Sequence, residues 1–200
     1  TWSGGAGALS PRNGARDATC VDTAADIAVG GVTLTLTTND PAGPCLPVND
    51  QVRITINPAA TANAGADLVV CASSPLAQLA GVVSGGATSG TWSGGAGTFS
   101  PSDAALNATY LPTAGEIAAG GVTLTLSSND PAGPCGAVSD QVRITINPAA
   151  TVDAGADQIV CANSPLAQLA GVVSGGATGG TWSGGAGTFS PKNTTLNASY

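Results

Sequence analysis

The stretch "GVTLTLSSND" at residues 121–130 alternates apolar and polar side chains with a period of two. Val122, Leu124 and Leu126 fall on one face of an extended chain and the intervening threonines on the other, which is typical of a half-buried β-strand. The segment "DQVRITINP" at residues 140–148 alternates in the same way. Both segments are therefore predicted to be strands with one face toward an apolar core.

Strand-like segments recur at short intervals before this pair. In chain order they read "ADLVVC", "PLAQLAGVV", "GTWSG", "GTFS" and "LNATYLP". With the two strands above they make about seven strands in a unit of ~90 residues, a density typical of an immunoglobulin-like sandwich. No segment shows a helical period, so the predicted fold class is all-β.

The unit is repeated along the chain. Residues 1–90 and 91–180 are identical at 66 of 90 positions without a gap. The decapeptide "TWSGGAGTFS" at residues 91–100 returns at 181–190, and a near copy begins at Thr1. Because ~90 residues is the size of a small independent domain rather than of a solenoid unit, the chain is predicted to hold tandem sandwich domains.

Two segments have the character of domain junctions. "INPAATANAGAD" at residues 56–67 and "INPAATVDAGAD" at 146–157 each follow an alternating strand and lack apolar periodicity. A boundary in each predicts three parts: the C-terminal part of a first repeat at 1–59, a complete repeat at 60–149, and the N-terminal part of a third repeat at 150–200. On this phasing the chain is expected to be a segment of a longer array.

The composition argues against several classes of function. The chain has 5 Lys and Arg against 12 Asp and Glu and a formal net charge of −7, so neither nucleic acid nor an anionic membrane surface is an expected partner. It has no apolar run of about 18 residues and no basic leader before an apolar run, so no membrane span or signal peptide is predicted. Since there is no histidine, the commonest general base is missing, and the protein is predicted not to be an enzyme.

Aromatic residues are few and recur at fixed positions in the repeat. Trp92 is predicted to pack in the core, as are its copies Trp2 and Trp182. The alternative is that these rings are exposed and stack on a ligand. Tyr110 is predicted to tie a corner of the sandwich to the backbone through its hydroxyl, and the glycines of "SGGAG" after Trp92 to make a tight turn at positive φ beside the indole ring.

Five cysteines occur: Cys45 and Cys135 are copies of one position, Cys71 and Cys161 of another, and Cys20 stands alone. In a sandwich whose first and last strands are parallel, the first strand begins beside the loop into the last, which predicts a Cys71–Cys135 disulfide in the complete repeat. Pairing of Cys135 with Cys161 is disfavoured, because about eight strand residues span ~25 Å. The alternative is a buried pair of reduced thiols. A disulfide would indicate an oxidising, extracellular setting.

Acidic residues gather near the predicted junctions. They are Asp67, Asp130, Asp140, Asp153 and Asp157. Carboxylate oxygens from several of them at one junction would make a calcium site. The alternative is that they are solvated loop carboxylates. Calcium at the junctions is the one cofactor for which the sequence offers candidate ligands.

The order of four segments resembles a known type of repeat. The segments are "AGADQIVC", "GGTWSGGAGTFSP", "LNATYLPTAGEIAAGGVTLTL" and "GPC…DQVRITI", and they are similar to the tandem PKD/immunoglobulin-like repeats of large Bacteroidetes cell-surface adhesins, including the SprB-type gliding adhesins. The resemblance covers the whole chain and implies a secreted, surface-attached or filament-forming protein exported by the type IX system. The chain departs from the pattern at Cys20, which replaces the corner tyrosine and leaves an odd thiol that is unpaired or pairs between chains.

These observations predict the structural repeat region of an extracellular adhesin or filament, and the resemblance implies a role in gliding motility. Expected partners are further copies of the protein, associated side by side, and a surface or glycan ligand bound by regions outside these repeats. One alternative is an array of carbohydrate-binding modules in which Trp2, Trp92 and Trp182 stack on sugar rings. A second is a spacer region of a secreted hydrolase.

Overall fold

A computed structural model of the chain describes residues 1–10, 18–39, 43–44, 46–131 and 133–200. Over these residues the regular elements of the protein are almost all β-strands, which confirms the predicted all-β class. Two short α-helices are added to them, where the sequence showed no helical period.

The elements follow one another in three groups that match the copies of the repeat. The first group consists of β1 (Trp2–Ser3), β2 (Ala8–Ser10), β3 (Thr19–Val21), α1 (Ala24–Val29), β4 (Gly31–Thr37) and β5 (Asn49–Thr55). The second consists of β6 (Ala60–Asn63), β7 (Leu68–Cys71), β8 (Ala77–Gln78), β9 (Val82–Gly85), β10 (Gly90–Ser93), β11 (Thr98–Ser100), β12 (Thr109–Leu111), α2 (Ala114–Ala119), β13 (Gly121–Ser128) and β14 (Ser139–Asn147). The third consists of β15 (Thr151–Asp153) and β16 (Val172–Ser174).

The second group forms a β-sandwich, as predicted. One sheet has the order β10-β13-β14-β7, in which β7 runs parallel to β14 and the other neighbours are antiparallel. A second sheet has the order β11-β12-β8, and β6 pairs with β9. The first group repeats part of this arrangement, with β4 between β1 and β5 and with β2 paired to β3.

The core lies between the sheets of the second group, where the alternating strands place their apolar faces. Leu124 and Leu126 of β13 are fully buried, as is Ile144 of β14, and Val142 and Ile146 are at most 2% exposed. The period-two pattern thus correctly predicts the inward face of both strands. A polar residue at any of these positions would be buried without water to solvate it.

The second group has nine strands rather than about seven. The segment predicted as a single strand "PLAQLAGVV" is divided between β8 and β9, and the junction segment contributes β6, which pairs with β9 from Ala60 opposite Gly85 to Asn63 opposite Val82. These strands have two to four residues. They are too short to show a period of their own.

Helix α2 was missed for a related reason, since six residues are fewer than two helical turns. Its ends nevertheless carry standard signals. Thr113 and Glu116 form a reciprocal capping box at the start, and Gly120 adopts a left-handed conformation with φ of 77° at the end. Helix α1 is built in the same way between Thr23 and Gly30.

Candidate functional site

Trp92 lies on β10, at the edge of the four-stranded sheet, and its side chain belongs to the buried core cluster. Its side chain is 1% exposed, and its indole Nε1 donates a hydrogen bond to the backbone oxygen of Leu106 at 3.3 Å. A side chain at Gly81 would collide with the indole ring and with Leu126. In the complete repeat the ring is therefore enclosed by protein and has no free face on which a sugar could stack.

The copies Trp2 and Trp182 are half-buried. Trp182 keeps the same anchor, because its Nε1 donates to the backbone oxygens of Thr195 and Leu196, each at 3.2 Å. Residues 150–200 hold no copy of β13, whose Leu126 lies opposite Trp92 in the sheet. The greater exposure of Trp182 follows from that difference.

Tyr110 on β12 is fully buried, and its hydroxyl takes part in two hydrogen bonds. The backbone N–H of Gly97 donates to it at 2.8 Å, and the hydroxyl donates to Oε1 of Glu116 at 2.8 Å. The ring packs against that of Phe99 with the centroids 4.9 Å apart. The corner thus joins the glycine loop after β10 to helix α2.

The glycine loop closes over this hydroxyl. Gly94 and Gly95 have φ of 87° and 70°, in the left-handed region that glycine tolerates best. A side chain at Gly95 would collide with the Tyr110 hydroxyl and with Oε1 of Glu116. The predicted turn at positive φ is present, but the large ring beside it is that of Tyr110 rather than that of Trp92, because the loop turns toward β12.

Glu116 is the member of this corner that was not predicted from the sequence. Its Oε2 accepts hydrogen bonds from the backbone N–H of Thr113 at 2.7 Å and from the Thr113 hydroxyl at 2.9 Å. Its Oε1 accepts from the backbone N–H of Ala96 at 2.8 Å, in addition to the hydroxyl of Tyr110. The pattern Thr-x-x-Glu at 113–116 is the signal that could have found it.

These contacts determine the ionisation of both side chains. Burial, together with the hydrogen bond to Glu116, raises the pKa of Tyr110 to about 12. Burial by itself would raise the pKa of Glu116, but the hydrogen bonds from Thr113, Ala96 and Tyr110 together lower it below its ordinary value. At neutral pH the corner therefore holds a glutamate anion beside a neutral tyrosine.

The first repeat builds this corner differently. Cys20 on β3 stands where the second repeat has Tyr110, is half-buried, and has its Sγ 3.9 Å from Oδ1 of Asp22. Asp26 keeps the capping box but lies 3.5 Å from the backbone N–H of Ala6. Burial, Asp22 and Asp26 all raise the pKa of the Cys20 thiol, which disfavours the reactive thiolate. An unpaired or intermolecular role for Cys20 stays a prediction.

The structure does not bring Cys71 and Cys135 together, so the predicted disulfide between them is wrong. Cys71 pairs in parallel register with Asn147, the last residue of β14, whereas Cys135 precedes Ser139, where β14 begins. The two cysteines are therefore separated by the length of β14, ~27 Å for eight residue steps. Both are free thiols, and a disulfide needs Cα atoms within roughly 7 Å.

The physical reason for this difference is the division of the first strand. Its first half, β6, pairs with β9, and only its second half, β7, pairs with β14. Cys71 ends β7 and so lies at the far end of the sandwich. Cys161, its copy in the third repeat, is an exposed free thiol as well. Cys45 lies outside the described residues.

Cys135 lies against the preceding repeat instead. Its Sγ donates to the backbone oxygen of Asn57 at 3.6 Å. A side chain at Gly133 would collide with the Asn57 side chain, and one at Gly86 would contact Pro131. The loop before the last strand of one repeat is therefore part of the junction with the repeat before it.

The candidate calcium ligands are engaged by backbone N–H groups or lie at the surface. Oδ2 of Asp140 accepts from the backbone N–H of Ala64 at 2.9 Å, and Oδ1 of Asp67 from that of Arg143 at 2.9 Å. Oδ1 of Asp153 accepts from a backbone N–H two residues further on at 2.8 Å. Two further candidates are exposed: Asp130 and Asp157. Within the described parts of the chain, no three acidic or cysteine side chains lie close enough to hold a metal ion.

Because Asp67 and Asp140 already accept backbone hydrogen bonds, calcium is expected to leave the thermal midpoint of the chain unchanged. Asp67 and Asp140 already stabilise the backbone of their own repeat, and binding stabilises a fold only where the folded state holds the ligand. Scanning fluorimetry with excess calcium or with EDTA measures this, with magnesium as the control for ionic strength. A rise of the thermal midpoint by several degrees with calcium, but not with magnesium, would show that the carboxylates at the junctions bind calcium.

No helix among the described residues is long and apolar enough to cross a membrane.

Comparison with known proteins gives similarity at the level of solved structures. No family model matches the chain, and no curated protein matches it. Mouse cadherin-23 EC22–24 is similar over 100% of this chain and 74% of that chain, with 15% identity and a TM-score of 0.45. Protocadherin gamma B2 extracellular cadherin domains 3–6 are similar over 99% of this chain and 57% of that chain, with 14% identity and a TM-score of 0.45. The protocadherin gammaB7 EC3–6 cis-dimer structure is similar over 100% and 59%, with 15% identity and a TM-score of 0.43.

Proposed function

We propose that the chain is a structural repeat region of a secreted cell-surface adhesin or extracellular filament, with no enzymatic role. The main support for this proposal is that the aromatic and acidic side chains singled out in the complete repeat contact other parts of the same repeat. Trp92 and Tyr110 are buried in the core, and Glu116 holds the corner above them. The repeats present a similar surface once in every 90 residues. A series of such sandwiches gives the protein its length and its sites of attachment.

The resemblance to SprB-type repeats extends the proposal. The parent protein is then exported by the type IX system, displayed outside the cell, and used in gliding motility. Regions outside these repeats bind the surface or glycan ligand. An array of carbohydrate-binding modules is less well supported, because the Trp92 ring has no free face.

Side-by-side association of copies is part of the same proposal. Two exposed apolar side chains of the second repeat, Leu76 and Val82, recur in the third as Leu166 and Val172, which are exposed as well. Any weak contact that these side chains make once can be made again one repeat further on. Linked weak contacts bind at high effective concentration, which favours a bundle of parallel copies.

The reach of the filament can be tested in the cells that make the protein. Deleting whole repeats in frame, with both ends of the parent intact, is expected to shorten the surface filament by roughly 30–40 Å per repeat, the length of a nine-residue strand and its junction. Immunogold electron microscopy measures the length, and attachment assays measure adhesion. Labelling confined to the cell interior, or adhesion and length that do not change with repeat number, would contradict the proposal.

A further inference from the structure

We propose that a disulfide cross-links consecutive repeats. It joins the cysteine at the end of the first strand of one repeat to the cysteine in the loop before the last strand of the next repeat. In the complete repeat, Cys71 is the first of these residues and Cys135 the second. Cys71 then bonds to the following repeat's copy of Cys135, and Cys135 bonds to the preceding repeat's copy of Cys71. The inference goes beyond the proposed adhesin role and requires only tandem repeats and an oxidant.

One position of the repeat contacts both kinds of cysteine. Asn147 pairs with Cys71 in parallel register, and its backbone oxygen accepts from the N–H of Ala72 at 2.8 Å. Asn57 is the copy of Asn147 in the first repeat, and its backbone oxygen accepts from Sγ of Cys135 at 3.6 Å. Superposing the junction after Asn57 on the junction after Asn147 therefore places the following repeat's copy of Cys135 at the strand end that carries Cys71.

The superposition is justified because the two junctions are built alike. The backbone oxygens of Pro58 and Ala59 lie against Gly86 and Gly85 at the first junction, and those of Pro148 and Ala149 lie against Gly176 and Gly175 at the second. In each case the strand after the junction pairs with the same partner in the same register. Contacts seen at one junction consequently transfer to the other.

A groove at the second junction marks where the loop of the following repeat would lie. It is lined by residues that include Cys71, Asn147, Pro148 and Gly176. At the first junction the copies of the last three are Asn57, Pro58 and Gly86. Gly133 and Cys135 lie against Asn57 there, and Pro131 lies against Gly86. The occupant of the groove is therefore this same loop from the next repeat, and its cysteine arrives beside Cys71.

The chemistry of Cys71 suits this role. Its Sγ lies 3.1 Å from the Ser73 hydroxyl, and that hydrogen bond lowers the pKa of the thiol below its ordinary value. A lowered pKa increases the fraction present as the attacking thiolate. As the S–S bond forms, the two thiols lose two protons and two electrons. A disulfide oxidant such as oxidised glutathione accepts them and is reduced to two thiols.

The cross-link has a mechanical consequence for the array. It joins the strand end of one repeat to the loop that leads into the last strand of the next, close to the peptide linker between them. Two covalent connections across one junction restrict bending more than the linker alone. The array is then held extended, as a filament shaft requires.

The pairing can be tested in a chain with a complete second junction. The chain is extended after Tyr200 by a copy of residues 111–149, which completes the third repeat and adds one loop cysteine. Serine replaces Cys20, Cys45, Cys135 and Cys161, which leaves Cys71 and the added cysteine. With oxidised glutathione, we expect loss of both free thiols in a monomer and a single disulfide-linked peptide pair in non-reducing peptide mapping.

A matched chain separates this pairing from the one within a repeat. It keeps Cys71 and Cys135 and carries serine at the added loop position and at Cys20, Cys45 and Cys161. Here no disulfide between Cys71 and Cys135 is expected in the monomer, and each cysteine is expected to remain a free thiol or to form a mixed disulfide with glutathione. Persistent thiols in the first chain, with near-ultraviolet circular dichroism showing that it is folded, or an intramolecular Cys71–Cys135 bond in the second, would overturn the inference. Because the oxidant is supplied, neither result depends on the proposed cellular location.

Discussion

Replacing Trp92 with alanine is expected to lower the free energy of unfolding of the complete repeat by about 3–5 kcal/mol. The ring is 1% exposed and packs in the same cluster as Leu79 and Leu126, so its removal loses apolar burial and leaves a cavity. It also leaves the backbone oxygen of Leu106 without the indole donor. A domain of this size has a total stability of about 5–15 kcal/mol. Urea unfolding followed by circular dichroism measures the loss.

Trp182→Ala is the matched control, since it lies in an identical decapeptide but is half-buried. We expect it to cost less than the change at Trp92. Fluorescence gives a second measurement in a chain with Trp2→Phe and Trp182→Phe, where Trp92 is the only tryptophan left. Red-shifted emission that iodide quenches readily would contradict the buried position and favour the sugar-binding alternative.

The strands that build the core could be predicted because their pattern is long enough to be unambiguous. β13 and β14 have eight and nine residues, so alternation over four or more positions distinguishes the inward face from the outward face. The high average burial of tryptophan predicts a core position, and the structure places Trp92 there. Both inferences use properties of single residues and near neighbours.

The cysteine pairing could not be predicted in this way because it depends on how the first strand is divided. Whether Cys71 lies near or far from the loop of Cys135 is set by which half of that strand pairs with β14. Each half has four residues, too few for a sequence pattern that would identify the strand with which it pairs. The corner was predicted only in part for a similar reason: the Tyr110 hydroxyl was assigned to the backbone, but its second partner, Glu116, belongs to a helix of six residues.

Replacing Tyr110 with phenylalanine is expected to lower the free energy of unfolding of the complete repeat by about 2–3 kcal/mol, although the ring is kept. The change removes the hydroxyl that donates to the Glu116 anion and accepts from the backbone N–H of Gly97. Both partners then remain at a half-buried corner without that contact. Tyr200→Phe is the matched control, since its hydroxyl accepts from Gly187 N–H at 2.8 Å and residues 150–200 include no copy of Glu116. It is expected to cost less, and equal losses at the two positions would argue against the role of Glu116.

The dependence of the free energy of unfolding on pH, measured in the alkaline range, tests the same hydroxyl independently. The pKa of Tyr110 is raised from 10.0 to about 12 in the folded protein, so above pH 10 the folded state binds more protons than the unfolded state at this residue. The stability from this group is therefore complete below pH 10 and is lost as the pH rises from 10 to about 12. Tyr110→Phe has no phenol to titrate at this position, so its curve should fall less steeply over that interval than that of the unchanged chain. Parallel curves for the two proteins between pH 10 and 12 would show that the pKa of Tyr110 is not raised in solution, and would contradict its burial beside Glu116.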